Sequence, residues 1–117
     1  FRDILRPRIA VWVKAKAYTH EQFTLKELAS RLYTNKTYLS TFIKDEYDMN
    51  FSGWVASLRI DEAKRIMMKE PEKRLQEVAF ECGFSSLAYF SSVFSKSEGI
   101  SPSAWQREFS RKTDGEQ

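Results

Sequence analysis

The chain repeats itself. Leu25, Glu27, Leu28, Ala29, Tyr38, Leu39, Ser40, Ile43, Ser52 and Trp54 recur, several as conservative replacements, as Leu75, Glu77, Val78, Ala79, Tyr89, Phe90, Ser91, Phe94, Ser103 and Trp105. The copies are offset by 50 residues before the Tyr and by 51 from the Tyr onward, so the second has gained one residue between two helical segments. An insertion inside a helix would rotate every later side chain onto a new face, whereas a turn absorbs it. Internal similarity at this period marks a repeated supersecondary unit. The unit here is two short helices around a turn, a helix-turn-helix, and a pair of them would read DNA twice from one polypeptide.

A length of 117 residues fits one domain or two small lobes of about fifty residues. With 42% hydrophobic and 15% aromatic residues there is enough apolar surface for a core. The net charge of +3 says little, so the placement of charge matters more. Acids crowd at Asp45, Glu46 and Asp48 and at Glu70 and Glu72, while Phe84 to Lys96 holds none, and an acid-free surface approaches phosphate without repulsion. The single cysteine, Cys82, excludes an internal disulfide and suits a reducing compartment. No apolar run approaches the roughly 20 residues that span a bilayer. The first residue is Phe1, which reads as a fragment of a longer protein, with any sensor, dimerisation region or membrane span upstream of it.

The periodicity predicts an all-α fold of about seven helices, two helix-turn-helix subdomains joined by a long linker helix. Ile9, Ala10, Val13 and Ala17 form the inward stripe of a helix from Ile4 to Tyr18, with Pro7 tolerable only in its first turn. Thr24 and Glu27 make a capping box for a helix from Leu25 to Leu32, and Asn35 caps the next, which runs to about Tyr47 with Leu39, Phe42 and Ile43 inward. Ser52 to Met68 is the longest pattern, ended by Pro71, and its apolar face steps from Trp54, Val55 and Leu58 to Ala63, Ile66 and Met67, as one helix serving two cores would require. A helix from Leu75 to Cys82 stops at Gly83, Ser85 or Ser86 caps the next to about Glu98, and Pro102 opens a last short helix carrying Trp105 and Phe109. The resulting boundaries are residues 1–50 for the first subdomain, 51–70 for the linker helix, 71–110 for the second subdomain and 111–117 for a disordered polar tail. Tyr33 stands where the second copy has Gly83, which predicts strain or a different turn.

The inward pattern leaves Lys36, Thr37, Ser40, Thr41 and Lys44 outward on the first unit's second helix, and Leu87, Ala88, Ser91, Ser92, Ser95 and Lys96 on its counterpart. The helical spacing of Tyr38, Leu39, Phe42, Tyr89, Phe90 and Phe94 favours core packing over base stacking. Trp54 and Trp105, equivalent in the copies, favour a repeated packing role, and Arg59 in an apolar helix face favours a structural ion pair over a phosphate contact. Cys82 without a companion reads as a small buried hydrophobe. His20 alone builds neither a metal site nor a catalytic pair. The acids at 45, 46 and 48 lack calcium-loop spacing and read as a solvated surface, and there is no glycine-rich phosphate loop. The sequence therefore supports no catalysis, metal or cofactor.

Glu77-Val78-Ala79, Cys82-Gly83-Phe84-Ser85-Ser86, Tyr89-Phe90-Ser91, Phe94 and Gly99-Ile100-Ser101-Pro102 before Trp105, with Leu28-Ala29, Tyr38-Leu39-Ser40, Arg59-Ile60 and Ala63 in the first copy and linker, form a specific pattern. From about Ile4 to Phe109 the chain resembles the DNA-binding domain of AraC/XylS-type bacterial transcription regulators. The resemblance implies two recognition helices in successive major grooves of double-stranded DNA, with base contacts from Lys36, Thr37, Ser40, Thr41, Ala88 and Ser92. Backbone contacts are expected from the helix-capping side chains Thr24, Asn35, Ser85 and Ser86 and from Lys26, Lys44, Lys73, Arg74 and Lys96, with Lys36 the leading cation. It further implies RNA polymerase as a partner, activation as the commoner mode, and a bacterial, cytoplasmic, nucleoid-associated location. Such proteins commonly read with Arg, Gln or Lys, where this chain offers Thr, Ser and Ala, so each contact should discriminate at or below roughly 1 to 3 kcal/mol. The alternative is a protein-interaction module on a degenerate helix-turn-helix scaffold.

Overall fold

The computed structural model describes residues 2–20 and 22–115, with side chains up to residue 109. Among these there are seven α-helices and no strand: α1 (Arg2–Lys14), a 3-10 turn (Ala17–Thr19), α2 (Leu25–Arg31), α3 (Lys36–Tyr47), α4 (Phe51–Lys69), α5 (Leu75–Glu81), α6 (Leu87–Glu98) and α7 (Pro102–Gly115). The chain divides into two compact units, Phe1–Ala56 and Ser57–Gln117, and the boundary falls inside α4.

In the first unit α1 buries Leu5, Ile9 and Trp12, one helical stripe. The expected stripe was shifted: Ala10 is exposed, Val13 only half-buried, and Ala17 lies beyond the helix, which stops before Lys16 adopts a left-handed backbone (φ 57°). Pro7 sits inside α1 rather than in its first turn. Ion pairs from Arg2 to Asp45 and from Arg6 to Glu46 hold that stretch of α1 against α3. They also give two of the acids read as merely solvated a specific partner. Trp12 stacks on Trp54 with ring centroids 5.6 Å apart, meets Phe23 edge-on at 5.3 Å, and Tyr47 stacks on the other aromatic neighbour, Trp54, at 5.5 Å. Each such pair is worth about 0.5–1.5 kcal/mol beyond its burial.

The second unit has one continuous cluster. Ile60, Ala63, Ile66 and Met67 of α4, Val78 and Ala79 of α5, Phe90 and Phe94 of α6 and Trp105 of α7 surround Cys82 and Phe84. Phe90 meets Phe94, and Phe94 meets Trp105, edge to face. Trp54 and Trp105 are both buried, as their repeat equivalence suggests. Arg59 is also buried, which removes it as a phosphate contact, and Glu62 beside it receives two hydrogen bonds from Arg65 at 2.7 and 2.8 Å.

The last helix departs from expectation. α7 runs from Pro102 through Gly115, where the polar composition from residue 111 suggested a disordered tail; Arg111 and Lys112 favour a helix, but the propensities of Thr113, Asp114 and Gly115 do not explain its further extension. Residues 116 and 117 of that expected tail lie outside the described residues.

The duplicated turns use the same hydrogen bonds. Tyr33 N donates to Ser30 O and Thr34 N to Ala29 O; Gly83 N donates to Phe80 O and Phe84 N to Ala79 O. Tyr33 and Gly83 both have positive φ, 58° and 95°. The turn is thus conserved and the strain expected at Tyr33 is present, because a Cβ there costs what glycine avoids. Equivalence still holds at Thr34 and Phe84, while the caps that follow are Asn35 and Ser86, so the inserted residue is Ser85.

Candidate nucleic-acid interface

α3 and α6 each begin with a side-chain cap. Asn35 Oδ1 accepts from Tyr38 N at 3.0 Å, and Ser86 Oγ accepts from Tyr89 N at 3.0 Å. Ahead of α3, Thr24 and Glu27 form the reciprocal capping box that starts α2, with both bonds at 3.1 Å. These local bonds fix the directions in which α2, α3 and α6 leave their turns. Burial of Leu39, Phe42 and Ile43 on α3, and of Phe90 and Phe94 on α6, then determines which faces remain in solvent.

On α3 those outward residues include Lys36, Thr37, Thr41 and Lys44, with Ser40 half-buried. Lys26, Asn35, Lys36 and Thr37 come together around one open cleft of about 590 Å³, which Ala29, Ser30, Thr34 and Tyr38 also line. Lys26 and Lys36 form no ion pair among the described residues, so their charge is available to an anion. Ser40 and Lys44 line a second recess with Asn50 and Ser52, and Lys44 also pairs with Asp48 at 3.1 Å on the open surface. An exposed pair of that kind contributes about 0–1 kcal/mol and yields readily to a stronger anion. Thr24 and Thr41 are exposed but line neither recess.

On α6 Ala88 and Ser92 are exposed one turn apart, and Lys96 is exposed near the helix end. Ser85 and Arg74 are exposed, Arg74 at the start of α5 with no capping bond of its own. Lys73 differs. Its ammonium is held by Glu81 at 2.6 Å and Glu70 at 3.5 Å, and the hydrogen bond to Glu81 above all raises its pKa. That charge is already spent within the protein, which weakens Lys73 as a phosphate contact.

Two aromatics expected in the core stand outside it. Tyr38 and Tyr89 are each 51% exposed, because the third residue of α3 and of α6 lies at the edge of the buried stripe. A tyrosine hydroxyl needs a polar partner when it is buried, which favours an edge position. Phe80 is also exposed although the hydrophobic pattern gave it no place, whereas Leu87 is exposed as its outward position implied.

The remaining chemistry is inert. Cys82 is buried, and burial first, then the nearby Glu62 and Glu81, pushes its thiol up to about 12. Burial likewise lowers the pKa of Arg59, against Tyr89 and Cys82. Among the described residues no group of three His, Cys, Asp or Glu side chains gathers to hold a metal, and no helix is long and apolar enough to cross a membrane.

A helix-turn-helix domain family matches residues 28–108. The chain is 34% identical over 90 residues to the uncharacterized HTH-type transcriptional regulator YobQ of Bacillus subtilis, covering 74% of this chain and 37% of that protein. It thus spans little more than a third of this curated relative. The C-terminal domain of AraT, a response regulator from Geobacillus stearothermophilus, superimposes with a TM-score of 0.76 at 28% identity, over 90% of this chain and 84% of that one. The DNA-binding domain of AdpA, a global transcriptional factor solved with its target DNA, shares the fold with a TM-score of 0.80 at 24% identity, over 92% and 94% of the two chains. With the duplicated turns, the capped α3 and α6 and the match over most of its length, the chain belongs to the AraC-type helix-turn-helix family of DNA-binding transcription regulators.

Proposed function

We propose that α3 and α6 are inserted in successive major grooves of double-stranded DNA, Lys36, Thr37, Ser40 and Thr41 reading one half-site and Ala88 and Ser92 the other. The observation that carries this reading is the cleft at the first turn, where Lys26 and Lys36, without an ion pair among the described residues, flank the capped start of α3. A helix N-terminus beside two such cations favours a phosphate, and seating the phosphate fixes the helix in its groove. Thr24, Asn35, Lys44, Arg74, Ser85, Ser86 and Lys96 would supply further backbone contacts, with Lys73 the weakest of the set. A tandem duplication within one chain favours direct-repeat half-sites about one helical turn, roughly 34 Å, apart over a palindrome. In the whole protein such a domain would position RNA polymerase in a bacterial cytoplasm, under the control of a sensor or dimerisation region.

Selection from a random duplex pool tests this directly. The expected product is a pair of directly repeated half-sites one turn apart, with affinity falling steeply as salt rises. The competing reading, a protein-docking module, draws on the exposed Phe80, Leu87 and Tyr89 of the second unit. It predicts no duplex binding even at about 50 mM salt, and that result would replace the DNA reading.

A further inference from the structure

We infer that α6 selects thymine, through contact of Leu87 and Ala88 with the thymine methyl group in its half-site. The inference rests on the two-groove reading and adds the base chemistry of the second half.

Aligning the two units on their caps puts Leu87 where the first has Lys36, Ala88 where it has Thr37, and Ser95 where it has Lys44. Upstream, Gln76 replaces Lys26. Within α6 the second copy thus has Leu87 and Ser95 where the first has lysines and Ala88 where it has a threonine, while Lys96 stands at the place of Asp45. Packing does not require the exchange. The core of α6 is Phe90 and Phe94, whereas Leu87 is 38% exposed in the first turn and Ala88 is exposed beside it.

Ser91 and Ser92 follow Leu87 and Ala88 at a spacing of four, so each apolar residue shares a face with a hydroxyl one turn on. From Ser85 to Ser95 there is no Arg, Lys, Asn or Gln. The bidentate contacts that identify guanine or adenine cannot be made from this stretch. A serine hydroxyl bonds any base edge, so it does not decide between them. The one apolar group displayed in the major groove is the thymine C5 methyl, and an exposed Leu at the start of a recognition helix gains most by covering it.

The test uses the wild-type protein and its selected duplex, with thymine replaced by deoxyuridine in each half-site in turn. Uracil keeps the base-pairing edge and loses only the methyl. Each replacement in the α6 half-site is expected to weaken binding about 3- to 5-fold, the effect of exposing one buried methyl-sized group. The variant Leu87→Ser, checked for unchanged helicity and melting, should bind thymine and uracil duplexes within about 2-fold of each other at the affected position, a coupling that assigns the contact to this residue. Specific binding with no uracil penalty in either half-site, or a second half-site selected as G·C pairs only, overturns the thymine inference and leaves the two-groove reading standing. Failure to select any sequence overturns both.

Discussion

Thr34 and Phe84 occupy equivalent places in the two turns, but only Phe84 suits its surroundings. Thr34 Oγ1 is buried and makes no hydrogen bond among the described residues, and an unsatisfied buried hydroxyl costs about 1–3 kcal/mol. Thr34→Val keeps the shape and removes the orphan, so it is expected to raise stability by about 1 kcal/mol in chemical denaturation; a loss would show that the hydroxyl has a role in the fold. At the preceding position glycine is favoured. Gly83→Ala puts a Cβ on a backbone with φ 95° and should cost about 1 kcal/mol or more. Tyr33 bears the same penalty, partly offset by the guanidinium of Arg8, 5.7 Å from its ring centre, and remains 85% exposed. Among the cations, Lys36→Ala is expected to weaken binding to every sequence and flatten the logarithmic salt dependence by about one unit; an unchanged slope would remove Lys36 from the phosphate contacts.

Helix starts were legible in the sequence wherever the signal is local. The Thr24–Glu27 box, the Asn35 cap and the left-handed Gly83 and Gly99 lie within a few residues of the boundaries they set, and the observed ends of α2, α3, α5 and α6 fall within a residue of expectation. The cap of α6 was narrowed only to Ser85 or Ser86, and the structure assigns it to Ser86. Thr24→Ala removes one partner of the reciprocal pair and should cost about 0.5–2 kcal/mol, read as a lower melting temperature. Distant contacts were not legible. The buried stripe of α1 depends on Trp12 meeting Trp54, and the ion pairs from Arg2 and Arg6 reach residues 45 and 46, some forty positions away. The same limit explains Tyr38 and Tyr89: spacing places them near the apolar stripe, but whether the edge of a stripe is covered depends on which elements pack across it.

For the molecule as a whole, alkaline stability should report on the second core. An unfolded thiol ionises near about 8.5, whereas Cys82 in the fold stays neutral to about 12. The stabilisation from this raised pKa is fully present below the unfolded value and is lost as pH climbs from there towards 12. Compared with wild type, Cys82→Ala should show a shallower alkaline loss, by at most about 1.4 kcal/mol per pH unit; parallel curves would mean that the thiol ionises alike in both states. The boundary between the two units has a different consequence. It lies between Ala56 and Ser57, within the 19 residues of α4. Severing the chain there leaves the first unit with only residues 51–56 of α4, far short of the roughly 12–15 residues at which an isolated helix is even marginal in water, whereas residues 57–69 stay packed in the second core through Ile60, Ala63, Ile66 and Met67. A gene encoding the first half alone would therefore end on a frayed stub, which gives selection a reason to inherit the duplicated units as a pair and to let them diverge in sequence while remaining one polypeptide.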